Sequence, residues 1–129
     1  MIILDTHIWI WWVDNNSHLT PQQLQLIEEN QATGLGVSII SCWEIAKLVE
    51  LERLKLAHPV KTWLEQAIAY PGIQVLNLTP EIIITSTQLP GTFHRDPADQ
   101  LIVATAIVFD CPLLTVDAKI LNYPHVKKL

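Results

Sequence analysis

Asp5, Glu44, Asp99 and Asp117 are the residues of this 129-residue sequence whose types and settings could do chemistry. Asp5 interrupts an apolar run, MIILDTHIWIWWV, where a carboxylate needs a partner. Asp117 closes a second apolar run, LLTV. Glu44 falls in the first turn of a helix expected after Ser38, and Asp99 in the first turn of the helix that Asp96-Pro97 opens. Carboxylates brought together repel, and each pKa rises unless a cation compensates. Hard oxygen ligands without thiolates suit Mg²⁺, or Mn²⁺, better than Zn²⁺. Such an ion acidifies a water and stabilises a departing oxyanion, which is the chemistry of phosphodiester cleavage. Each acid also has a structural role open to it. Asp96-Pro97-Ala98-Asp99 reads as an N-cap, a proline at N1 and an acid at N3. Asp117 suits the cap of a short helix, Glu44 a first-turn acid, and Asp5 a structural hydrogen bond.

A parallel sheet is what would bring these acids together. Short apolar strands are expected at 1–4, 35–38, 73–78 and 113–116. Helices are expected between them: Thr20-Pro21 to before Gly34, 41–52, 59–69, Thr79-Pro80 to about Leu89, and Asp96-Pro97 to about Phe109. HIWIWWV suits strand or helix, with helix favoured. Strands alternating with helices imply one α/β domain over residues 1–129, with a mostly parallel sheet covered on both faces. Ligands of such sheets bind beyond the carboxyl ends of the strands. Asp5, Asp117 and Ser38 would all emerge there.

Composition narrows the choice. Half of the residues are hydrophobic, which excludes disorder, and two cysteines, Cys42 and Cys111, do not make a disulfide framework. Asp5 and His7 divide the apolar start, and no Lys or Arg precedes Lys47, so neither a membrane span nor a secretory leader is expected. The expected setting is cytoplasmic. A net charge of −5 argues against a simple nucleic-acid-binding module but not against an enzyme whose acids hold cations. The five histidines, His7, His18, His58, His94 and His125, lack zinc-ligand spacing. No G-x-S-x-G, G-x-G-x-x-G or P-loop is present. Trp9, Trp11 and Trp12 cannot all face the core of a helix, so one of them is a candidate for a partner contact.

ILDTHIWIWW, SIISCWEIAKL, HRDPADQLIVATA and LLTVD, in this order along almost the whole chain, resemble the PIN-domain proteins, and among them the VapC-type toxins of prokaryotic toxin–antitoxin pairs. The resemblance implies a three-layer α/β/α domain with an acidic, Mg²⁺-dependent ribonuclease site. It carries the four family acids onto Asp5, Glu44, Asp99 and Asp117, a hydroxyl onto Thr115, and a further acid onto Asp96. Thr6 is a supporting residue beside the first acid. It also implies a homodimer and a small antitoxin that wraps the toxin. Similar proteins often read D-P-F-D-R around the third acid; here Ala98 and Gln100 stand in place of the aromatic residue and the arginine.

The expected function is a Mg²⁺-dependent endoribonuclease, with Asp5 and Asp99 as principal ligands, Glu44 and Asp117 completing the cluster, and a water as nucleophile. The alternative is a catalytically idle module that uses the same fold to hold a protein. A receiver or haloacid-type phosphoryl-transfer enzyme fits less well. Thr6-His7 follows Asp5 where the haloacid type has a second aspartate, and Asp117 closes LLTV where a receiver has lysine.

Overall fold

The computed structural model describes residues 1–129. A four-stranded, all-parallel sheet runs in the order β3-β2-β1-β4, with β1 Ile2–Leu4, β2 Leu35–Ser38, β3 Ile73–Leu76 and β4 Leu113–Leu114. Ile2 pairs with Leu35, Ile3 with Leu113, and Leu35 with Ile73. Strands β1 and β4 are continuous apolar runs because helices cover both faces, whereas the edge strand β3 exposes Gln74. Alternation within β1 divides the core in two. Ile2 and Leu4 pack with Leu35, Val37, Trp9, Ile27, Ile45 and Trp63 on one side; Ile3 packs with Ile102, Val103, Ala106 and Ile120 on the other. Gly36 lies beside Ile3 in this register, and a Cβ there would stand 2.8 Å from Ile3 Cδ1 and 2.9 Å from Leu76 Cδ1. Only glycine lets those two side chains close over β2.

The helices are α1 Thr6–Val13, α2 Pro21–Asn30, α3 Ile39–Glu50, α4 Val60–Ile68, α5 Pro80–Thr87, α6 Pro97–Phe109 and α7 Ala118–Leu121. Thr20 and Gln23 form a reciprocal capping box at α2, Thr79 caps α5, and proline occupies the first turn of α2, α5 and α6. The three-layer α/β/α arrangement read from the sequence is the observed one, and no helix is long and apolar enough to cross a membrane.

Several boundaries differ from the sequence reading. HIWIWWV is helical. Helix α3 begins at Ile39 and not at 41, because the Ser38 hydroxyl accepts from Ile40 N–H and caps it directly off β2. Glu44 therefore lies in the second turn. The strand expected at 113–116 is only Leu113–Leu114; Thr115 leaves the sheet to hydrogen-bond Asp5. The free edge of β4 is met by the C-terminal residues, with Leu113 bridging Lys128 in parallel, a pairing the sequence does not advertise. Trp9 is buried, while Trp11 and Trp12 are half-buried, Trp11 stacked on His18 and Trp12 edge-on to Tyr70. The tryptophan that faces solvent is Trp43.

Candidate active site

The strand order reverses at β1: β2 and β3 lie on one side of it and β4 on the other. The crevice beyond the carboxyl ends of β1 and β4 is thus the topological switch point, where ligands of open parallel sheets bind. Asp5 follows β1 and Thr115 follows β4, so both enter that crevice.

Asp5 is almost wholly buried and both of its oxygens are engaged. Oδ1 accepts from Thr6 N–H at 2.8 Å, making Asp5 the N-cap of α1, and Oδ2 accepts from the Thr115 hydroxyl at 2.5 Å. Burial pushes its pKa up; the bonds from Thr115 and Thr6 pull it back in part. The Thr115 hydroxyl also accepts from Asp117 N–H at 3.0 Å, so one side chain ties the first acid to the last. Asp117 in turn caps α7, its Oδ1 accepting from Lys119 and Ile120 N–H.

Glu44 reaches the crevice from α3. Its Oε1 accepts from the Thr6 hydroxyl at 2.5 Å. Because that hydroxyl hydrogen points to Glu44, the 2.8 Å contact between Thr6 and Ser41 has Ser41 as donor. Thr6 links Asp5 to Glu44 much as Thr115 links Asp5 to Asp117. Burial raises the Glu44 pKa most, and Asp5 and Asp96 add to the rise by repulsion.

Asp96 caps α6 by accepting from Asp99 N–H at 3.0 Å, as the D-P-x-D pattern suggests. Asp99 is held in the crevice by α6, whose Ile102 and Val103 are fully buried. Its pKa is pushed up to about 7, first by burial, then by the charges of Asp5, Asp96, Asp117 and Glu44. All five acids named from the sequence are thus drawn into one electrostatic cluster.

The sequence reading did not single out His94. Its Nε2 stands 3.0 Å from Asp99 Oδ2 outside hydrogen-bond geometry and has no other partner; in the tautomer that leaves it unprotonated it offers a lone pair to a cation. One ligand atom each from His94, Asp99 and Asp117 fall within 4.8 Å of one another. An unsatisfied buried nitrogen beside mutually repelling carboxylates fits a divalent cation. The trio brings His94 and Asp117 to the expected ligand Asp99, while each Asp5 oxygen accepts one hydrogen bond, from Thr6 or Thr115, and keeps a lone pair free for a cation. His94 lies outside any helix, so no helical spacing marks it; its place two residues before the Asp96 cap was the available clue.

The PIN domain pattern matches residues 2–126. Ribonuclease VapC22 of Mycobacterium tuberculosis is 38% identical over 124 residues, spanning 96% of this chain and 92% of the relative. Among solved structures, VapBC2 from Rickettsia felis bound to a promoter DNA fragment superposes with a TM-score of 0.70 at 17% identity, covering 100% of this chain and 98% of the matched one. FitAcB from Neisseria gonorrhoeae gives a TM-score of 0.70 at 19% identity, with 100% and 96% covered. Those structural matches establish the fold. Together with the acid-lined crevice at the switch point, the match along nearly the full sequence shows that this chain belongs to the PIN-domain family and resembles its VapC-type members.

Proposed function

We propose that this chain is a divalent-cation-dependent endoribonuclease, with Mg²⁺ as the ion, and that it is the toxin of a toxin–antitoxin pair. The observation that carries the reading is the convergence of Asp5, Glu44, Asp96, Asp99 and Asp117 from separate elements, with Asp99 raised to about 7 by the others and by burial. A fold tolerates such repulsion when a cation relieves it.

Asp5 and Asp99 would hold the ion with Asp117 and His94, and Glu44 would add negative charge beside them. When bound, the cation would neutralise charge on a scissile phosphate and acidify a water. The chain's own residues do the rest. Asp99, with a pKa of about 7 in the cation-free protein, gives up its proton near neutrality as an ion binds. Thr115 and Thr6 fix Asp5 and Glu44 in single orientations by donating to their carboxylates. Asp96 stays committed to capping α6 and lends only its field.

RNA is the proposed substrate, supported by the similarity to a ribonuclease. A small antitoxin is the proposed partner, because the structural neighbours include a toxin–antitoxin complex from Klebsiella pneumoniae and DNA-bound VapBC from Salmonella typhimurium. A homodimer and a cytoplasmic setting belong to the same proposal. Induced expression in a bacterial culture tests the toxin assignment. Growth should arrest with the wild-type chain and continue with Asp99→Asn at equal soluble level; unimpeded growth with both would overturn it.

A further inference from the structure

The loop that presents His94 to the acids has a second side. Phe93 and Arg95 alternate with His94 and Asp96, and they line a separate cavity of about 480 Å³ together with Ser86, Thr87 and Gln100. Arg95 and Gln100 are the sequence neighbours of Asp96 and Asp99, so the same stretch of chain, 93–100, lines the cavity and presents the acids. We propose that this pocket receives the base of the nucleotide next to the cut and that it selects guanine; the inference rests on the ribonuclease reading.

The hydrogen-bond inventory favours a base over a phosphate. The Ser86 hydroxyl donates to Ile83 C=O at 2.6 Å and that of Thr87 to Ile84 C=O at 2.7 Å. Gln100 Nε2 donates to His94 C=O at 3.1 Å. These three side chains therefore offer the pocket acceptors: two hydroxyl oxygens and the Gln100 Oε1. The second Gln100 N–H is the one donor they leave, so a phosphate, itself only an acceptor, would leave the three acceptors unpaired. Arg95 supplies the donor fork at the exposed rim, and no carboxylate lies within ion-pair distance of it. Guanine matches both halves: O6 and N7 accept from an arginine fork, while the N1–H and the 2-amino group donate. Adenine would set its 6-amino group against the guanidinium. Phe93, packed on His94 and Tyr123 at centroid distances of 4.5 and 4.8 Å, offers a fixed ring for stacking.

Two measurements decide the matter. The first titrates guanosine, adenosine, cytidine and uridine 5′-monophosphates into the isotope-labelled chain in EDTA and follows amide resonances. Guanosine monophosphate should move the signals of residues 86–95 and the Gln100 side-chain amide, the others much less, and Arg95→Ala should abolish the response. Equal shifts with all four nucleotides, or none at these residues, would overturn the proposal. The second maps cut ends across a random single-stranded RNA pool. Wild type should show guanine enriched about tenfold at one position beside the cut, and Arg95→Ala should flatten it. Cutting without base preference, unchanged by Arg95→Ala, overturns the pocket alone. Guanine-selective binding without any cutting overturns the ribonuclease reading instead.

Discussion

In the cation-free protein, Asp99→Asn is expected to raise stability near neutral pH, although it removes a residue of the proposed active site. The folded state holds the Asp99 proton up to a pKa of about 7, against an ordinary value of 3.8. A raised pKa stabilises the fold fully below about pH 4, and that contribution is lost as pH climbs through about 7. At roughly 1.4 kcal/mol per pH unit, the rise is worth about 4 kcal/mol of strain in the ionised form. Neighbouring acids take up protons in response, so the net gain from asparagine is set at about 2 kcal/mol. For a domain of this size that corresponds to a Tm increase of about 6–8 °C at about pH 8, shrinking to nothing near pH 4. Thermal unfolding by circular dichroism in EDTA, from acid to mildly alkaline pH, reads this directly. An Asn variant that melts at or below the wild type at alkaline pH would refute the reasoning. So would a gain as large at pH 4 as at pH 8. Restoring Mg²⁺ should then raise the wild-type Tm and barely move the variant's.

Other perturbations follow from the same contacts. Thr115→Val removes the hydroxyl that bonds both Asp5 and Asp117 N–H, and should cost about 1–3 kcal/mol in urea unfolding and at least about tenfold in cleavage, while Thr115→Ser retains both. Cation binding should expel close to one proton at about pH 6, where Asp99 is still protonated, and far less at about pH 8; calorimetry in buffers of different ionisation enthalpy counts it. His94→Ala should weaken Mn²⁺ binding by about tenfold or more; unchanged affinity would remove His94 from the ligand set. Trp63→Phe deletes the 2.8 Å bond from Nε1 to Asp14 Oδ1 and should destabilise by about 1 kcal/mol without affecting the active site.

The parts of the site legible in the sequence are those where chemistry contradicts its surroundings. Asp5 stood out because a carboxylate in MIILDTHIWIWWV must be satisfied, and it is, by Thr6 and Thr115. Asp96-Pro97 announced α6 because an acid cap and a proline at N1 are local signals, independent of tertiary contacts. The parallel sheet was legible from short apolar or alternating runs separated by helices with their own start signals. What was hidden depends on contacts across the fold. Ile39 and Ile40 fall between the expected strand and the expected helix, yet the Ser38 cap makes them helical and puts Glu44 in the second turn. Thr115 read as strand because LLTV is β-prone, but its hydroxyl is worth more to Asp5 than its backbone to the sheet. His94 carries no periodic signature, and only the three-dimensional course of its loop brings Nε2 to Asp99. The order β3-β2-β1-β4, which makes the crevice, is likewise a long-range property.

The most direct measurement is cleavage of a mixed set of structured and single-stranded RNAs by the purified chain, in Mg²⁺ and in EDTA, beside Asp99→Asn. Discrete cuts in Mg²⁺ alone, absent from the variant although it is folded and melts higher, are expected if the acid cluster is a cation-dependent ribonuclease site. Cutting that persists in EDTA or in Asp99→Asn would contradict that assignment, and intact RNA in every lane would turn the fold into a binding module.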